Sequence, residues 1–93
     1  RSAMPQSYGH VYLHVVFGTK HRESFLTPAR HQDLARYITP ILHDHKSTLT
    51  ISGGMADHVH LLLDLGREVS VAVILRELKA KSSAWRSKTL VGK

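Results

Sequence analysis

The segment Asp57-His58-Val59-His60-Leu61-Leu62-Leu63 narrows what this chain can fold into more than any other. Side chains alternate across a strand, so Val59, Leu61 and Leu63 share one face and His58 and His60 share the other. The apolar face needs a covering layer, and a helix packed beneath it is the simplest one. The other face carries two imidazoles side by side. Such a pair can hold a divalent cation, and a cation held beside a nucleic-acid strand polarises a phosphate for attack.

The rest of the chain supplies the cover. Residues from about His10 to Gly18 alternate, with Val11, Leu13, Val15 and Phe17 on one face and His10, Tyr12, His14 and Val16 on the other, which predicts a first strand. Gly18 to Leu26 has no apolar period and reads as a polar loop carrying Lys20, His21, Arg22 and Glu23. Thr27-Pro28 is a helix start, with Thr27 as N-cap and Pro28 in the first turn. Leu34, Ile38, Ile41 and Leu42 then share a helical face to about His45, and Pro40 inside that pattern is expected to kink or loosen a turn. Thr48 to Ile51, ended by Ser52-Gly53-Gly54, and Val59 to Leu65 predict an antiparallel hairpin. Ser70 can cap a last helix whose apolar stripe is Val71, Ile74, Leu75, Leu78 and Trp85. The order strand, helix, strand, strand, helix predicts an α+β fold, with helices packed on one face of an antiparallel sheet. A ferredoxin-like split unit needs one more strand than the chain supplies before Lys93.

Size and charge set the class. With 93 residues and 42% hydrophobic content there is room for one core. Arg1-Ser2-Ala3 reads as a tag remnant, and residues 4–93 as a single domain. Thirteen Lys and Arg against 7 Asp and Glu give a formal charge of +6, which favours a polyanionic partner, although a solvated basic surface explains the same number. No cysteine is present, so a thiolate metal site and a disulfide framework are both excluded, which is compatible with a cytoplasmic setting. No apolar run reaches the length of a membrane span.

Spacing alone does not make the histidines a site. Eight histidines in such a chain produce roughly 0.7 His-x-His pairs by chance, and the chain has two. His43-Asp44-His45 falls at a helix end, where residues two apart diverge by about 200°, and reads as dipole-complementing. His58 and His60 share a strand face, so geometry selects them. Asp57 faces the other way on an ideal strand and suits a turn or orienting role better than direct ligation. His10 and His14 become candidates only if the first strand pairs beside the motif strand. Hydrogen-bonded surface histidines remain the competing account of all four. Lys20 and Arg22, with Arg76, Lys79, Lys81, Arg86 and Lys88 on or near the polar side of the last helix, are what a phosphate-binding surface uses. Trp85 reads as core, and Ser82 and Ser83 have no histidine at a spacing that would make either a nucleophile.

Three separated motifs then carry a resemblance. His14-Val15-Val16-Phe17-Gly18-Thr19-Lys20-His21-Arg22, Gly53-Gly54-Met55-Ala56-Asp57-His58-Val59-His60-Leu61-Leu62 and Leu78-Lys79-Ala80-Lys81-Ser82-Ser83-Ala84-Trp85 occur in the order found in IS200/IS605-type transposases. The chain resembles these single-tyrosine HUH enzymes, which include REP-associated transposase-like proteins, from about Tyr8 to Trp85. The resemblance implies a ferredoxin-like or RRM-like domain that dimerises and recognises hairpins in single-stranded DNA. It implies His58 and His60 as ligands of Mg²⁺ or Mn²⁺, and Lys20, Arg22, Lys79 and Lys81 as DNA contacts. It also implies a tyrosine that attacks a phosphodiester and is left joined to the 5′ end. The family places that tyrosine, with a further polar ligand, on a helix after another strand, beyond the position of Lys93. Tyr8, Tyr12 and Tyr37 all precede the histidine motif. The expectation is therefore a domain truncated at its C-terminus or a degenerate copy, inactive by itself. Two other readings compete: a non-catalytic nucleic-acid-binding module of related fold with structural histidines, and a metal-binding regulatory domain that does not touch DNA.

Overall fold

The computed structural model describes residues 11–66 and 68–91. The elements are β1 (Val11–Gly18), a 3-10 turn at Lys20–Arg22, α1 (Pro28–Asp44), β2 (Thr48–Met55), β3 (His58–Leu65) and α2 (Val71–Val91). The three strands form one antiparallel sheet in the order β1-β3-β2. This is the expected α+β arrangement, with β3, the strand of the two imidazoles, at its centre. The sequence-predicted strand position His10 lies outside the described residues.

The alternation along β3 decides the layering. Val59, Leu61, Leu63 and Leu65 are buried, while His58, His60, Leu62 and Asp64 are half-buried. Leu34, Ile38 and Leu42 of α1 and Ile74, Leu78 and Trp85 of α2 join the buried β3 residues in one core. Leu13, Val15 and Phe17 of β1 pack against that core from the sheet edge. Both helices therefore cover one face and leave the other open.

Local chemistry fixes the helix ends. The Thr27 side chain accepts a hydrogen bond from the Arg30 N–H at 3.1 Å and Pro28 opens the first turn, as predicted. Pro40 does not interrupt α1, which continues to Asp44. In α2 only part of the expected stripe is buried. Val71 and Leu75 are 41% and 42% exposed, because the helix turns the line Ile74, Leu78 and Trp85 inward. The Trp85 indole N–H donates to Asp33 at 2.8 Å, so its polar edge is satisfied as its ring packs edge-on against Phe25.

The hairpin differs from expectation. β2 does not stop at Ile51 but runs through Gly53 and Gly54 to Met55, and the turn is the pair Ala56-Asp57. The strand continues because the glycines are placed, not merely permitted. Gly54 has φ +141°, and a Cβ there would lie 2.2 Å from the His58 carbonyl oxygen. Only glycine brings β2 that close to the start of β3. An irregularity between Leu49 and Ile51 shifts the register and leaves Thr50 unpaired with β3.

Candidate functional site

His58 and His60 lie on the open face of the central strand with ring centroids 4.8 Å apart. Pairing puts Gly18 of β1 and Met55 of β2 beside His58, and Val16 of β1 and Gly53 of β2 beside His60. Each imidazole thus has a glycine as one cross-strand neighbour: the space beside Gly18 is taken by the Arg22 side chain, and the space beside Gly53 is open.

Each ring is also held at Nδ1. His58 Nδ1 donates to an Asp57 carboxylate oxygen at 2.8 Å. In a neutral imidazole this commits the proton to Nδ1 and leaves Nε2 with its lone pair. His60 Nδ1 lies 3.4 Å from His14 Nε2, one nitrogen donating and the other accepting. The condition set for His14 is therefore met: β1 pairs beside β3 and delivers its ring to the site. His10 lies outside the described residues. Among the described residues no three or more His, Cys, Asp or Glu side chains gather around a common ion position. The described protein atoms offer a pair of imidazole donors, not a closed cage.

Asp57 ties this site to the basic loop. Its other carboxylate oxygen takes Arg22 Nε at 3.3 Å and the same guanidinium's terminal nitrogen at 3.2 Å. The His58 hydrogen bond holds the Asp57 carboxyl below its ordinary range; desolvation opposes this, and Arg22 adds to the lowering. The loop itself is clamped to the hairpin turn, with the Thr19 N–H donating to the Asp57 carbonyl at 2.8 Å and the Thr19 hydroxyl to the Glu23 carbonyl at 2.6 Å. Those clamps hold His21 and Arg22 at φ 56° and 55°, a left-handed conformation that costs non-glycine residues about 1–3 kcal/mol each.

The four basic residues singled out from sequence do not form one patch around the imidazoles. Arg22 reaches the site through Asp57. Lys20 sits at the loop's start and shares with Lys79 the lining of a separate cavity of about 680 Å³ between β1 and α2. Lys79 and Lys81 are exposed on α2, in the layer covering the opposite sheet face. Tyr12 is on the open face beside Asp64, and Tyr37 packs against the core from α1. Ser82 donates to the Leu78 carbonyl at 2.6 Å, a helix contact without a catalytic partner. His43 and His45 stand at the end of α1, with His45 Nε2 4.0 Å from Glu77. Sequence reasoning named His14 conditionally and gave Asp57 an orienting role, but missed the Arg22–Asp57 contact, which depends on register between segments far apart in the chain.

The geometry has relatives. The family model described as "Transposase IS200 like" matches residues 7–91, nearly the whole chain. A crystal structure of a candidate transposase from Deinococcus radiodurans R1 superposes with a TM-score of 0.76 at 22% identity, over 97% of this chain and 68% of that one. At that identity the likeness concerns the fold. No curated protein matches the chain. Among the described residues no helix is long and apolar enough to cross a membrane. The extent of the family match makes this chain a member of the IS200-like transposase family.

Proposed function

We propose that this chain is the metal- and DNA-holding part of a single-strand transposase, with His58 and His60 as ligands of Mg²⁺ or Mn²⁺. The observation that carries this reading is that both imidazoles share the open face and both have Nδ1 already engaged. With Nδ1 engaged, Nε2 is the nitrogen left for a metal, for His60 in the tautomer whose Nδ1 donates to His14, and metal-binding histidines generally have their second nitrogen fixed in this way. A hard cation needs few protein ligands when phosphate oxygens and water complete its shell, so two imidazoles suit it. Bound there, the cation would polarise the scissile phosphate.

The chain's own residues do the rest. Asp57 orients His58, His14 orients His60, and Arg22 is poised to exchange its contact with Asp57 for a strand phosphate. Lys20, Lys79 and Lys81 add sequence-independent attraction for a single strand folded as a hairpin. In the cleavage itself a tyrosine oxygen bonds to phosphorus, the bond to the 3′ oxygen breaks, and the phenolic proton passes to that oxygen. Tyr37 packs against the core from α1, Tyr12 stands beside Asp64, and Tyr8 lies outside the described residues; on this reading the nucleophile is not among the described residues, which bind without cleaving. We further propose that the active form is a homodimer and that residues 4–93 act as one domain.

The test is Mn²⁺ titration of the wild type beside His58→Ala/His60→Ala. Saturable binding lost in the double variant supports the site; equal affinity in both proteins removes it and leaves a nucleic-acid module with structural histidines. Anisotropy with a single-stranded hairpin and with duplex of equal length checks the partner. Absence of salt-dependent binding to either would refute the DNA assignment.

A further inference from the structure

Beside the imidazoles the open sheet face is hollowed. A shallow cavity of about 330 Å³ is lined by His14, Ile51, Gly53, Gly54, His60 and Leu62, together with Leu61. This is at the small end of ligand-sized cavities, about 300–1,000 Å³. Its walls are apolar and unusually open to solvent, with Ile51 61% exposed.

Gly53 makes the hollow. Unlike Gly54, it has no positive φ, and a Cβ added to it would meet nothing within 4 Å. Neither backbone conformation nor packing inside the protein requires a glycine at this position. Its pairing partner is His60, so a side chain there would stand on the open face directly beside that ring. The missing side chain keeps a flat, apolar slot open at the edge of the candidate metal site.

We propose that this slot seats one nucleobase of the bound DNA strand, the one next to the phosphate held at His58 and His60. The inference rests on the function proposed above and adds a base contact to it. Three properties favour a base over other occupants. The slot adjoins the imidazole pair, since His60 belongs to the pair and lines the slot beside His14. Ile51, Leu62 and the bare Gly53 backbone present a surface for a π-face, and such stacking tolerates any base. The chain's charge of +6 draws a polyanion whose bases must then lie somewhere along the surface.

The experiment compares ten-nucleotide dT with a strand of ten abasic sites carrying the same phosphates, by anisotropy in Mn²⁺ at fixed salt. The wild type is expected to bind dT at least about fivefold more tightly, the lower end of what stacking one base contributes. Gly53→Leu fills the slot and is expected to erase that preference while the folded variant still binds the abasic strand. Ile51→Ala, at an exposed wall that folding does not need, is expected to weaken the preference by about two- to threefold. Equal wild-type affinity for the two strands, with Mn²⁺ still bound, overturns the base seat and spares the metal site. A full preference retained in a folded Gly53→Leu variant places base recognition elsewhere and overturns it too. Loss of both Mn²⁺ and strand binding in the wild type removes the function and the base seat together.

Discussion

The two faces of β3 are built from alternate residues of one eight-residue strand, yet they do different work. Val59, Leu61, Leu63 and Leu65 lie under two helices, with Leu63 wholly inaccessible, whereas His58, His60, Leu62 and Asp64 look out over an uncovered sheet. The buried face fixes where the strand sits, and that placement carries the imidazoles with it. The buried side holds the core and, on the function proposed above, the open side holds the chemistry, so the two should separate under mutation. Leu63→Ala is expected to destabilise the fold by about 2–5 kcal/mol, because a methylene-rich side chain leaves a cavity under α1. Leu62→Ala, one residue away on the open face, should cost under about 1 kcal/mol. Urea unfolding of the pair measures the contrast; similar midpoints would show that the open face is covered in solution.

A second contrast lies in adjacent glycines of β2. Gly54→Ala is expected to lose about 1–3 kcal/mol to backbone strain alone, with more from the clash against the His58 carbonyl. Gly53→Ala should be neutral or raise stability by up to about 1 kcal/mol, since its Cβ enters open space and the unfolded chain loses freedom. Thermal melts of the two variants decide it. A destabilised Gly53→Ala would mean that the glycine is structural, and the slot beside His60 would need another explanation.

How far all this could be read in advance follows from the range of each interaction. Alternation is local, so the faces of β1 and β3 and the shared face of His58 and His60 were legible. Thr27 and Pro28 announced α1 for the same reason. Gly53 and Gly54 misled, because glycine pairs usually end strands and nothing local shows that the His58 carbonyl passes 2.2 Å from where a Cβ of Gly54 would be. Val71 and Leu75 fit the helical period as well as Ile74 and Leu78, and only the way α2 packs on the shared core leaves them exposed. Arg22 and Asp57 are 35 residues apart, and His14 and His60 are 46 apart. Those contacts follow from strand order and register, which one sequence does not encode in any short window. The three motifs that carry the family resemblance nonetheless contain these positions.

Within the open face, the orienting contacts should matter to the metal and not to the fold. Asp57→Asn keeps the side chain's size but weakens the acceptor that fixes His58 Nδ1–H and releases the charge partner of Arg22. It is expected to weaken Mn²⁺ binding about 10–100-fold, with little change in the urea midpoint. Unchanged Mn²⁺ affinity would reduce Asp57 to a turn residue.

The smallest effect separates the loop from the last helix. Lys20 and Lys79 meet at the cavity between β1 and α2, away from the imidazoles, and each is expected to contribute at most one phosphate contact. Lys20→Ala or Lys79→Ala should therefore shallow the dependence of log affinity on log salt by about 0.7, the single-strand value per phosphate, and leave Mn²⁺ binding untouched. Because the two residues share one cavity, the double variant tests whether they grip one phosphate or two. A slope change near 0.7 in the double variant means one shared phosphate, and a change near 1.4 means the strand passes both separately. A slope unchanged from wild type would take the cavity between β1 and α2 out of the DNA path and leave Arg22, through its exchange with Asp57, as the basic residue that acts at the open face.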